Sequence, residues 1–196
     1  MKALLACIAA AVGVSVLADG APVSKRDNDA LMQKVAAIQA TASRPAAQTR
    51  RTTVTENEVN AWFAFDGRPQ IPTGVVDPAV SILGTGRVAA RAVVDLDAVR
   101  RARATQSWFD PTNYLTGRLP VTATGRLKSG NGLAQVELES ASVGGVPIPK
   151  VLLQEIVSYY SRTAENPSGI NIDDPFALPA RIREIQVERG QAIIVQ

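Results

Sequence analysis

Asp95 and Asp97 are the residues whose type and spacing come closest to chemistry. They stand two apart at the end of an alternating strand pattern, and paired carboxylates on one face are the machinery of glycoside hydrolysis. Against that role, Asp97 falls where the following "AVRRARA" needs a helix cap, and Asp95 falls on the polar face of its strand. Asp173-Asp174-Pro175 has turn chemistry and lacks the regularly spaced third and fourth oxygen ligands of a calcium loop. The chain contains no histidine, which excludes Ser-His-Asp and Cys-His catalysis and His-based zinc sites. Only carboxylate or Lys/Tyr/Ser chemistry remains as an enzymatic option, and a carboxylate-dependent hydrolase is kept as a third reading; the preferred reading is noncatalytic, with no cofactor and no metal.

Binding is the other chemistry on offer. Arg100, Arg101 and Arg103, with Arg50, Arg51, Arg87 and Arg91 elsewhere, could meet anionic headgroups, because arginine pairs bidentately with phosphate oxygens; a solvated helix face is the plainer alternative. Trp62, Phe63, Trp108 and Phe109 fit either a rim dipping into a bilayer interface or an ordinary core. With 21 Lys and Arg against 18 Asp and Glu, the charge balance is too even to point to nucleic acid.

The elements that must position these residues follow from periodicity. "MKALLACIAAAVGVSVLADG" reads as a secretory signal peptide over 1–18 with cleavage expected after Ala18, or as a retained N-terminal anchor. Cleavage removes Cys7, the only cysteine, so the exported chain would fold without disulfides. Residues 19–50 hold a polar lead and a helix with Leu31, Val35, Ile38 and Ala42 on one face, broken at Pro45. Residues 51–196 form one α+β domain. In "TVTENEVNAWF", Thr55 and Glu58 make a capping box and Val54 with Val59 a hydrophobic staple, so a helix begins at Glu56.

A hairpin then turns at Gly84 to Gly86, its second arm alternating Val88, Ala90, Ala92, Val94 and Leu96 with more polar positions. Another turns at Lys128 to Gly132, with Leu119, Val121, Ala123 and Leu127 on one arm and Ala134, Val136 and Leu138 on the other. After Pro147 and Pro149 comes a helix with a broad apolar face: Leu152, Ile156 and Tyr159 in one ridge, Leu153, Val157 and Tyr160 in the next. A last hairpin turns at Arg189-Gly190. The expected fold is a curved antiparallel sheet, built as one sheet from about three hairpins, packed against or wrapped around a long amphipathic helix.

This order, with its "TVTENEVNAWF" helix, "ASVGGVPIPKVLLQEIVSYY" and a terminal "IREIQVERGQAIIV" hairpin, resembles the LmeA-like and YpmS-like bacterial envelope proteins. Those are similar in turn to the tubular lipid-binding proteins. The resemblance covers roughly Thr52 to the C-terminus. It implies a strongly curved sheet around a helix with phospholipid acyl chains held between them.

A groove for an acyl chain needs only apolar walls, since burial contributes about 25 cal/mol per Å² without directional bonds. The candidate lining is Val88, Ala90, Ala92, Val94, Val121, Ala123, Val136, Leu138, Leu152, Leu153, Ile156 and Tyr160, with Arg100, Arg101 and Arg103 as headgroup candidates. Small residues at Ala90, Ala92 and Ala123 would leave space, or would let the helix pack directly on the sheet. The expected function is that of a noncatalytic protein of the periplasm or cell envelope that binds a phospholipid or other long apolar ligand, with possible membrane-surface contact. The alternative is an envelope scaffold with a closed core and a protein partner.

Overall fold

The computed structural model describes residues 22–43, 48–102, 116–162 and 166–196. The expected signal segment, Arg103, Trp108 and Phe109 lie outside them, as does the side chain of Tyr160. Among the described residues no helix is long and apolar enough to cross a membrane.

Helix α1 (Lys25–Ala42) starts a full turn before the apolar periodicity does, because Ser24 and Asp27 form a capping box. The Asp27 carboxylate accepts from the Ser24 hydroxyl at 2.5 Å and from its backbone N–H at 3.0 Å, and these bonds hold the carboxyl below its usual range. Strand β1 (Arg51–Thr55) leads directly into α2 (Glu56–Ala64). The box read from the sequence is present: Glu58 N–H donates to the Thr55 hydroxyl, and Thr55 N–H donates to the Glu58 carboxylate at 2.8 Å. Val54 and Val59 are buried in one cluster, as a staple requires.

The central meander is β2 (Val75–Gly84), β3 (Arg87–Asp95), β4 (Arg118–Gly130) and β5 (Leu133–Val143), all antiparallel. Between β3 and β4 lies α3 (Leu96–Ala102). Two-residue strands β6 (Val146–Pro147) and β7 (Phe176–Ala177) pair with the two ends of β5, and α4 (Lys150–Tyr160) lies between them in the chain. The final hairpin is β8 (Glu184–Glu188) and β9 (Gln191–Val195).

The α+β class and antiparallel hairpins are as the sequence indicates, but the hairpins form two sheets rather than one. The last hairpin joins β1 in a three-stranded sheet of order β1-β9-β8. The turns of the meander dock on it instead of continuing it. Gly86 N–H donates to Val187 C=O, Gly132 N–H to Arg183 C=O, and the Ser129 hydroxyl both gives to and takes from the backbone of Ile185. Gly84 permits the approach: its φ is +91°, and a Cβ there would stand 3.0 Å from Arg189 N.

The main core fills the angle between sheets and helices with Leu31, Val54, Val59, Trp62, Phe63, Val80, Ile82 and Val187. Trp62 and Phe63 meet inside it as a tilted pair, 5.2 Å between centroids, so they are core and not an entry rim. The outer edge of β2 is closed by α2: Asn60 donates to Val80 C=O at 2.8 Å and accepts from Val80 N–H at 2.7 Å, and Glu56 accepts from Ile82 N–H at 2.6 Å. Two side chains one helical turn apart thus stand in for a neighbouring strand.

Candidate functional site

The register of the meander sets the site. Val80, Ala90, Ala123 and Ala141 face one another across β2, β3, β4 and β5, so three alanines form one continuous row. Cross-strand partners share a face, so the next row toward the strand ends is Ala92, Val121 and Val143. Beyond it Val94 pairs with Leu119. On the other side of the alanines come Val88, Gly125 and Leu138, then Leu127 with Val136.

Ala141 and Val143 join this face although the alternation of the sequence does not place them there. Alternation from Ala134, Val136 and Leu138 would carry Ser140 and Ser142 inward. A bulge prevents it: Gly125 pairs with Leu138 and Thr124 with Ser140, so Glu139 is an extra residue and the parity resets. The Glu139 carboxylate is held by Arg87 at 2.9 Å and Arg126 at 3.5 Å. The reversal is visible in "LESASV" only once the partner strand is known.

Helix α4 meets this face through Leu153, which packs, as Ala90 and Leu138 do, against the buried pair Ala123 and Ala141. Of the twelve proposed lining residues, the structure therefore brings together Ala90, Ala123, Leu138 and Leu153. Ala92, Val94, Val121 and Val136 lie on the same face, half-buried. Val88 belongs to the main core instead, where Trp62 and its neighbours lie.

Two expectations about the helix are corrected. It is eleven residues, three turns, and not a long helix. Leu152 and Ile156 do not line a groove, for they are 48% and 38% exposed and turn away from the sheet, with Val151 beside them at 74%. The reason is the helix's polar stripe. Lys150, Gln154, Ser158 and Ser161 all bind the downstream chain from Ile170 to Asp173, which fixes the rotation of the helix about its axis.

Arg100 and Arg101 lie on α3, where Arg100 pairs with Asp97 at 2.6 Å and Arg101 is exposed. The cap of α3 is Asp95, not Asp97. Its Oδ1 accepts from Ala98 N–H at 2.8 Å and its Oδ2 pairs with Arg118 at 3.3 Å; the first of these bonds, then the second, hold its carboxyl below the ordinary 3.8. Asp97 instead accepts from Gly117 N–H, while Leu96 N–H donates to Gly117 C=O. Both carboxylates thus serve local structure, fastening the chain where it leaves β3 and enters β4. Among the described residues no group of three or more acidic or cysteine side chains could hold a metal ion.

The arrangement offers an apolar face with small side chains at its centre, an eleven-residue helix seated on it by one leucine, and a second apolar ridge turned outward. Compared with known proteins, the chain matches no family model and no curated protein.

Proposed function

We propose that the protein binds a phospholipid acyl chain or another long apolar molecule against the β3-β4-β5 face, alongside Leu153 of α4, as a noncatalytic component of the cell envelope. One observation carries the reading. Ala123 and Ala141 are buried with Leu153 packed against them, whereas Ala90 and the adjoining apolar row, Ala92, Val121 and Val143, are only half-buried, so among the described residues the apolar face runs on past its cover. An acyl chain laid along that row needs no polar partner, and each methylene it buries contributes about 0.8 kcal/mol.

The test is native mass spectrometry of the protein purified from its envelope, followed by extraction and identification of lipids. A stoichiometric phospholipid that is lost in Ala92→Phe, with the melting temperature unchanged, supports the reading. An apo mass that takes up nothing from liposomes overturns it. An envelope scaffold with a protein partner is the second reading, and what favours it is the outward ridge of α4, which no described residue covers.

A further inference from the structure

We infer that β1 is the interface of a symmetric dimer, in which the β1 strands of two copies pair antiparallel and join both small sheets into one. The direction of its backbone groups is fixed at both ends of the strand. Arg50 and Gln196 exchange N–H···O=C bonds at 3.1 and 2.9 Å, and Glu56 N–H donates to Gly190 C=O at 2.9 Å. The register between them is unbroken, so Thr52 and Val54 also turn toward β9, and Arg51, Thr53 and Thr55 turn away from it. Thr55 is spent on its own helix, its N–H on the Glu58 carboxylate at 2.8 Å and its C=O on the first turn of α2. Arg51 and Thr53 are exposed, and no described residue takes their N–H and C=O groups.

The other outer strands carry cover from the same chain. Asn60 and Glu56 close the edge of β2, and the turns of the meander close that of β8 through Arg183, Ile185 and Val187. Strands β6 and β7 sit on the two ends of β5. Against pairing, β1 has only its shortness and one charge, Arg51. Its ladder has no bulge and it holds no proline, while Thr52, Thr53, Val54 and Thr55 are all β-branched.

Self-complementarity selects the occupant. An antiparallel pairing with its twofold axis at Thr52 puts Arg51 opposite Thr53 of the second copy, and Thr53 opposite Arg51 of the second copy. Both are hydrogen-bonded pairs of two bonds each, so every free group named above, on both edges, finds a partner. No charge faces a like charge, because Arg50 falls opposite Val54 of the second copy. The next registers of the same parity fail. Centred on Thr53, the pairing sets Arg51 against the spent Thr55; centred on Arg51, it sets two guanidinium groups face to face. A foreign strand would leave its own far edge open, whereas the twofold pair closes both edges and stops at two copies. The inference is independent of the acyl-chain reading, because β1 belongs to the other sheet.

Hydrogen exchange on the unaltered full chain, read residue by residue by NMR at about 20 μM and about 1 mM, is the first test. At the higher concentration the amides of Arg51 and Thr53 should exchange about tenfold more slowly, while those of Thr52 and Val54, already bonded to β9, should not change. Sedimentation over the same range should show a monomer–dimer equilibrium. Thr53→Pro should weaken it about tenfold without lowering the Tm, since the proline removes an N–H that bonds nothing in the monomer. Thr52→Pro breaks a bond to β9 and should lower the Tm. In a Cys7→Ser background, Thr52→Cys should oxidise to a disulfide-linked dimer, because a non-hydrogen-bonded pair on the axis brings its Cα atoms to about 4.5 Å; Thr53→Cys should not. Exchange and the cross-link decide the matter if Thr53→Pro fails to fold. A monomer throughout, a dimer that survives Thr53→Pro, or protection of the two amides that appears only when another protein is added overturns the inference.

Discussion

Asn60→Ala should be among the most destabilising single changes to a residue that is not in the hydrophobic core. Val80 is buried, and both its backbone groups find their partners in the Asn60 carboxamide, at 2.7 and 2.8 Å. Removing the carboxamide strands a donor and an acceptor at the edge of β2. Each buried polar group left unpaired costs about 1–3 kcal/mol. Asn60 is itself half-buried, so water reaches part of the gap, and we expect a net loss of about 3 kcal/mol. That is a large share of a domain stability of roughly 5–15 kcal/mol and corresponds to a fall in Tm of about 6–12 °C. Urea unfolding followed by circular dichroism measures it, with Asn57→Ala as the control, since Asn57 is exposed on the same helix and gains the same propensity without losing a bond. A difference between the two variants under about 0.5 kcal/mol would refute the idea that α2 serves as the missing neighbour of β2.

Lys34→Met removes the ammonium 2.6 Å from Glu58, whose side chain is 8% exposed, and leaves that carboxylate to the Thr55 N–H alone; a loss of about 2 kcal/mol in the same urea assay is expected. Asp95→Asn should lower the Tm at neutral pH and draw level with the parent as the pH falls through the folded-state value. The folded-state carboxyl lies below 3.8, so its contribution is present above that value and disappears as the pH falls through the lower one. A Tm difference independent of pH would show that Asp95 acts through packing and not through its charge. Gly169→Ala requires an alanine at φ +73° with its Cβ inside the Ser158 carbonyl, so the chain bound to α4 should lift and limited proteolysis between residues 166 and 174 should accelerate about tenfold while the main core persists.

The legible parts of the sequence are those fixed by neighbours within a few residues. The Thr55-Glu58 box gives the start of α2 because both bonds close inside one turn. The Ser24-Asp27 box is equally local, but the residues around it are polar and carry no apolar period that would mark a helix start. The three hairpin turns are legible through their glycines, of which Gly84, Gly86, Gly132 and Gly190 all take positive φ. What could not be read is decided by partners far away in the chain. Arg51 to Thr55 pairs with β9 and so becomes a strand, although four of its five residues are polar. The alanine row is legible up to Ala123 but not to Ala141, because a bulge at Glu139 intervenes. The orientation of α4 is hidden for a different reason: hydrophobic periodicity locates the apolar face of a helix, but here its polar residues bind first.

The middle strand of the smaller sheet also has a consequence in time. Hairpins β2-β3 and β4-β5 close over short separations and can form as soon as their residues exist. The three-stranded sheet cannot, because β9 sits between β1 and β8 and meets Arg51 with Val195. The second buried cluster, Ile38 with Ala134, Leu178 and Ile182, waits on the same late segment. One flank of the hydrophobic interior therefore stays open until β9 is present. Clipping Gln191 to Val195 would not shorten an edge but remove the centre of a sheet, orphaning a strand on either side.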